Sequence, residues 1–212
     1  MSWANEVSRP SEEATESDND DSRTQAMTSC SLIIPEVLHT PRLTLRMFGE
    51  ADWDGLCEMF EDAECVRYTL GSPLNRWQTW RVLAGYLGHW QLRGYGPYAV
   101  VKNSNDALVG AVGLWCPGEW PEPEIKWSLA RRFWGTGLAT EAAIVVRDMA
   151  ARHLGWGRLI SLILPENERS KAVARRLGGR WEKAISFRDT LADIFVYDLS
   201  AVVGTPPAAP PP

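Results

Sequence analysis

The chain has 212 residues, 45% of them hydrophobic and 23% charged, with a formal net charge of −5. That length fits one domain able to bury about two-thirds of its unfolded surface, so neither a disulfide nor a metal is needed to hold it. Seven acids and two arginines in residues 1–30 account for the whole net charge, which leaves a neutral body without the basic face that nucleic-acid binding requires. Cys30, Cys57, Cys65 and Cys116 lack paired metal spacing, His39, His89 and His153 are isolated, and no metal site is expected. With no secretory leader and no apolar run near 18 residues, the cysteines read as reduced thiols of a cytoplasmic protein free of the membrane.

Residues 1–30 read as a disordered acidic tail, 31–202 as the folded domain and 203–212 as a Pro-rich tail. Leu43-Thr44-Leu45-Arg46-Met47-Phe48 alternates as a half-buried strand. Glu50–Asp62 carries Trp53, Leu56, Cys57 and Phe60 at helical spacing, and a second helix from about Arg76 to Leu92 carries Trp80, Leu83, Leu87 and Trp90. Strands follow at Tyr98–Lys102, Ala107–Trp115 and Glu124–Leu129. A long helix runs from Gly137 to about Leu154. Leu159–Leu164 reads as a central strand covered on both faces. A short helix (Glu168–Leu177) and two strands (about Arg180–Phe187 and Leu191–Leu199) complete the domain. The pattern predicts a mixed α/β sheet, and the eleven tryptophans are expected to fill its core.

The most informative stretch is Arg132-Phe133-Trp134-Gly135-Thr136-Gly137-Leu138, where a strand gives way to the long helix. Two glycines there allow close approach to the first amides of the helix, which the helix itself leaves unpaired and open to an anion such as a pyrophosphate. The third glycine of G-x-G-x-x-G is absent, since position 140 is Thr140, and G-x-x-x-x-G-K-[ST] does not occur.

With its Arg-x-x-Gly-x-Gly loop and the Leu138-Ala139-Thr140-Glu141-Ala142 helix start, residues 127–142 resemble the acyl-CoA loop of the GNAT superfamily of N-acyltransferases, in particular its RimJ/RimL-like branch. The resemblance spans about residues 40–200. It implies a single-domain GNAT fold, with a central, mostly antiparallel, splayed sheet flanked by helices. It also implies acetyl-CoA as co-substrate and direct attack of a primary amine on the thioester. The amine belongs to a protein N-terminus or a small molecule, and the enzyme is a monomer or homodimer. The alternative is a catalytically silent acyl-CoA-binding or interaction module of the same fold.

On the resemblance, Trp127, Ser128 and Leu129 pair with pantetheine through their backbone. Arg132, Phe133, Trp134, Gly135, Thr136, Gly137 and Leu138 form the phosphate loop, Arg132 either adding charge or lying in solvent. Asn167 follows a strand and begins a helix, as an N-cap does; the resemblance makes it a pantetheine contact and Ser170 the proton donor to sulfur. Ala174 replaces the tyrosine many relatives carry. Glu124 is the first base candidate, against a plain strand-end carboxylate, with Lys126 expected to pair with it and keep it ionised. Asp189 is the second, against a plain turn aspartate. An α-amine titrates near pH ~8 and a lysine near ~10.4, so a base matters more for lysine-like acceptors. Trp115, Trp120 and Trp127 either wall an acceptor groove or pack in the core.

Overall fold

The computed structural model describes residues 34–203; the acidic segment 1–30 and the Pro-rich residues 204–212 lie outside them. A hairpin of β1 (Val37–His39) and β2 (Leu43–Arg46) leads through a 3-10 turn at Glu50–Asp52 into α1 (Trp53–Glu61), α2 (Ala63–Val66) and α3 (Arg76–Arg93). Then come β3 (Pro97–Lys102), β4 (Leu108–Trp115), β5 (Glu124–Leu129), α4 (Leu138–Leu154), β6 (Arg158–Ile163), α5 (Glu168–Arg176), β7 (Arg180–Phe187), β8 (Thr190–Asp198) and α6 (Ser200–Val203). The described strands form one sheet in the order β1-β2-β3-β4-β5-β6-β8-β7. All neighbours are antiparallel except β5 and β6. The mixed sheet expected from periodicity is present, and it is mostly antiparallel, as the resemblance implies.

Alternation along the strands feeds two cores. Tyr98 and Val100 of β3 and Val112 and Leu114 of β4 pack with Ala142, Ala143, Val146 and Ala150 of α4. Ala99 and Ala111 face the opposite way, toward Leu56, Phe60, Leu83 and Tyr86 of α1 and α3. Successive strand residues point to opposite faces, so helices cover both sides of the sheet centre. An Asn75–Gln78 capping box starts α3, each backbone N–H donating to the other's side chain at 2.9 Å.

The parallel contact between β5 and β6 is confined to one residue pair, Glu124 with Ile160. Ile160 N donates to Pro123 O at 3.0 Å, and a continuing ladder would next join Leu162 N to Ile125 O. Side chains take both places instead. Leu162 N donates to Glu124 Oε1 at 3.1 Å, and Ser161 Oγ donates to Ile125 O at 2.6 Å. Both backbone groups are therefore satisfied where the strands part, and the sheet splays open beyond Glu124.

Several expectations are corrected by the structure. The helix predicted over Glu50–Asp62 is divided: Asp62 Oδ1 accepts from Glu64 N at 3.0 Å and so caps a separate α2. On α3, Leu87 is exposed and Trp80 half-buried, while Thr79, Leu83, Tyr86, His89 and Trp90 form the buried face. Most of the described tryptophans pack against the two cores, but few are enclosed by them. Trp90 alone among the described ones is fully buried, and Trp77 and Trp181 are 66% and 58% exposed. Trp120, Trp127, Trp134 and Trp181 instead donate their indole N–H to Glu124, Ser170, Leu129 O and Asp193, as amphipathic rings at a boundary do. Strand β1 was not anticipated, because three residues carry no usable period; its pairing with β2 defines it.

Ser161→Ala strips Ile125 O of its buried partner, so chemical denaturation should show a loss of about 1–3 kcal/mol in unfolding free energy. An unchanged midpoint and slope would mean that the hydroxyl does not close the gap in the ladder.

Candidate active site

The splay opens onto two cavities that meet at one point. The larger, about 1190 Å³, runs between the edge of β5, the start of α4 and α5. The smaller, about 440 Å³, lies toward the Glu124 end of β5 and the β7–β8 turn. Trp127, Asn167 and Ser170 line both, with Arg67, Tyr68 and Thr69 across from them in sequence but on the same two walls. At this junction Trp127 Nε1 donates to Ser170 Oγ at 3.3 Å, and Ser170 N donates to Asn167 Oδ1 at 3.1 Å. Asn167 therefore serves as the N-cap of α5 and also as cavity wall.

The larger cavity reaches the glycine loop. Gly135 and Gly137 have φ of 75° and 82°, a conformation that costs any L-residue roughly 1–2 kcal/mol. A Cβ built on Gly135 would meet nothing within 4 Å, so the loop borders open space. No side chain caps the N-terminus of α4 at Gly137, which leaves the amides of its first turn available to an anion. Arg42 braces the loop from behind, donating to Thr136 O at 3.1 Å and pairing with Glu141 at 2.6 Å. Arg169 lies over the Trp134 ring, 4.6 Å from its centroid, and both it and Arg176 line the cavity. Open glycines, free helix amides, arginines and a bare strand edge together fit a phosphorylated ligand with an amide-bearing arm.

In the smaller cavity the Glu124 carboxyl is 5% exposed. Its Oε2 accepts from Trp120 Nε1 at 3.0 Å and its Oε1 from Leu162 N. Burial pushes its pKa up to about 7, against the opposing pull of Lys126 and of these two hydrogen bonds. Lys126 does favour the ionised form, as expected, but burial outweighs it. Among the described residues Lys126 forms no ion pair within 4 Å; its Nζ sits 4.8 Å from the Trp115 ring centroid, and burial lowers its pKa. Trp115 is in turn stacked on His89 at 4.5 Å, so it supports Lys126 from below rather than lining the cavity.

The acetyltransferase (GNAT) domain family matches residues 42–180. The chain belongs to this family. It is 27% identical over 173 residues to an uncharacterized N-acetyltransferase, p20, from Bacillus licheniformis, covering 77% of this chain and 96% of that protein. Its fold superposes on an acetyltransferase from Agrobacterium tumefaciens str. C58 with a TM-score of 0.70 and 30% identity, over 77% of this chain and 94% of that one. RimL, described as a ribosomal L7/L12 α-N-protein acetyltransferase in complex with coenzyme A, shares the fold at a TM-score of 0.65 and 17% identity, over 77% and 98% of the two chains.

Of the residues that the GNAT resemblance picks out, Trp127, Ser128, Leu129, Phe133, Trp134, Gly135, Gly137, Leu138, Asn167 and Ser170 all border the larger cavity. Arg132 does not. It turns to Glu58, 3.0 Å away, in an exposed pair. Thr136 is exposed beside the cavity, its hydroxyl donating to Phe133 O at 2.6 Å and closing the loop. Glu124 borders the smaller cavity, whereas Asp189 borders neither: it is exposed in the β7–β8 turn at φ 59°. Ala174 is fully buried, so Ser170 is the hydroxyl nearest in sequence at the junction. Sequence reasoning missed Arg67 and Arg176, and placed Arg169 in the Asn167–Ser170 stretch without giving it a role. Arg169 and Arg176 share a face of α5 at positions i and i+7 with Val173 between, a signal readable once Asn167 marks the start of the helix.

Carbon-13 NMR of glutamate-labelled protein should show one side-chain carboxyl titrating near 7, absent from Glu124→Gln. A spectrum in which every glutamate titrates near its ordinary value would contradict the burial described here.

Proposed function

We propose that this chain is an acetyl-CoA-dependent N-acetyltransferase that acts on a primary amine, with Glu124 as base and Ser170 as acid. The observation that supports it most is the meeting of two cavities at Trp127 and Ser170, one walled by the glycine loop and the other by a buried carboxyl. On this reading the diphosphate rests on the amides following Gly135 and Gly137, Arg169 and Arg176 add charge, and Asn167 and the β5 edge meet the pantetheine arm. Bound there, acetyl-CoA supplies an acetyl group already activated as a thioester.

The acceptor enters through the smaller cavity, and its ammonium gives a proton to the Glu124 carboxylate. The neutral nitrogen then forms its bond to the acetyl carbon as the carbon–sulfur bond breaks, and the N-acetylated nitrogen gives up its second proton to solvent to become the neutral amide. Ser170 gives a proton to the departing sulfur and regains one from solvent. A carboxyl with a pKa near 7 is about half ionised at neutral pH and is a stronger base than an ordinary glutamate. Trp127 Nε1 positions the Ser170 hydroxyl.

Gly135→Glu forces a side chain into the left-handed conformation and places a negative charge on the anion site. Calorimetry should show acetyl-CoA binding weakened about 100-fold, or about 2.8 kcal/mol; binding within a few-fold of the parent would refute the loop assignment. The pKa of Glu124 is raised, so its base form is lost as pH falls below about 7 and activity is lost with it. The profile of kcat/KM should therefore rise with pH through an inflection near 7, in addition to the inflection of the amine itself. Glu124→Gln should lower kcat about 100-fold or more and remove the inflection near 7. If Glu124→Gln retains both rate and profile, another group takes the proton.

A further inference from the structure

The charges on the wall of the smaller cavity are unbalanced. Glu124 is its one carboxylate, against Arg67, Lys126 and Arg188. The Glu124 oxygens are already engaged by Trp120 and by Leu162 N, and Lys126 has an aromatic face beneath it instead of an acid. Arg67 has an exposed contact to Glu64 at 3.8 Å and lies over the Tyr68 ring, 5.2 Å from its centroid. Arg188 has no acidic partner among the described residues; its guanidinium lies over both Trp120 and Phe187, 5.2 Å from each centroid. Trp120 and Phe187 are themselves packed edge to face at 4.9 Å. The wall that holds Glu124 therefore also holds Arg188.

The backbone reinforces this placement. Arg188 and Asp189 form a two-residue hairpin turn with φ of 50° and 59°, between the paired Phe187 and Thr190. Such turns ordinarily use Asn or Gly, because an L-residue with a longer side chain is strained there. An arginine kept at a strained position and stacked on the rim of a cavity invites a functional explanation. A dication such as a polyamine, or a lysine among other basic groups, would meet net positive charge here. An amine that brings its own anion would place the nitrogen by Glu124 and the anion among the cations. Arginine matches planar or tetrahedral oxyanions through paired N–H donors. A volume of about 440 Å³ lies in the range of small-ligand pockets.

We propose that the acceptor is a small primary amine that also carries a carboxylate or phosphate group, bound by Arg188 and Lys126 while its nitrogen faces Glu124. This rests on the acetyl-transfer reading above and narrows its acceptor. The test compares β-alanine with its methyl ester and O-phosphoethanolamine with ethanolamine, with putrescine as dication, at saturating acetyl-CoA. At least one acid should exceed its uncharged counterpart tenfold or more in kcat/KM, and the arm in which it does so separates carboxylate from phosphate. Putrescine should be the poorest. Arg188→Gln, at an exposed turn, should shrink the acid-to-neutral ratio toward one, and so should Lys126→Gln. Equal or better turnover of the ester, ethanolamine or putrescine overturns the inference and leaves acetyl transfer standing. Calorimetry with the same amines, titrated into CoA-saturated protein, separates the two failures: selective binding of an acid without turnover preserves the anion site and removes the transfer reading. If neither acid binds or reacts, the inference is wrong.

Discussion

The architecture of the site depends on an interruption. Strands β5 and β6 share one parallel pair and then separate, and separation is permissible only because a carboxylate and a hydroxyl replace the lost backbone partners. Two unpaired backbone groups at this depth would cost about 1–3 kcal/mol each, enough to favour closing the sheet. Glu124 and Ser161 hold the gap open from its apex, while β8 stays paired to β6 along six residues and keeps the far arm rigid. The same geometry buries Glu124, and burial is what brings its pKa toward neutrality. One arrangement therefore produces both the cleft and a carboxyl suited to proton transfer within it.

The two cavities differ in charge and in the groups they offer. The larger offers backbone amides at the start of α4, backed by Arg169 and Arg176, and its glycines leave room for a bulky anion. The smaller offers one buried carboxyl among cations and aromatic rings. Their junction at Trp127, Asn167 and Ser170 is where a thioester and an amine would have to meet under the proposed reaction. Asn167 and Ser170 come from the first turn of α5, a rigid element, and Trp127 from the strand that bounds the gap. Catalytic geometry built on such elements is held more tightly than geometry built on loops alone.

Local signals were legible in the sequence and distant ones were not. The glycine loop could be read because the need for positive φ at 135 and 137 is a property of a few adjacent residues. Strand β5 and helix α4 were visible through their periods, and Asn167 through its place as a cap. For Arg132 the sequence left open whether it adds charge or lies in solvent; it is exposed and reaches Glu58 on α1, a partner that no local pattern indicates. Lys126 was expected to dominate Glu124, yet the balance turned on burial, which depends on the packing of β6 and Trp120 rather than on the neighbour two positions away. Asp189 was considered without knowledge that its turn points it into solvent, while Arg188 beside it lies on the cavity wall. Trp120, Trp127 and Trp134 lie on cavity walls with each N–H paired, a demand that hydrophobicity alone does not reveal.

A crystal structure with CoA and an amine acceptor would test most directly whether the gap between β5 and β6 is the reaction site. The account predicts the diphosphate on the amides following Gly135 and Gly137, the pantetheine along the free edge of β5, and the sulfur beside Ser170 with the amine on the Glu124 side. Coenzyme bound elsewhere, or β5 and β6 joined by a continuous ladder past Glu124 and Ile160, would contradict it.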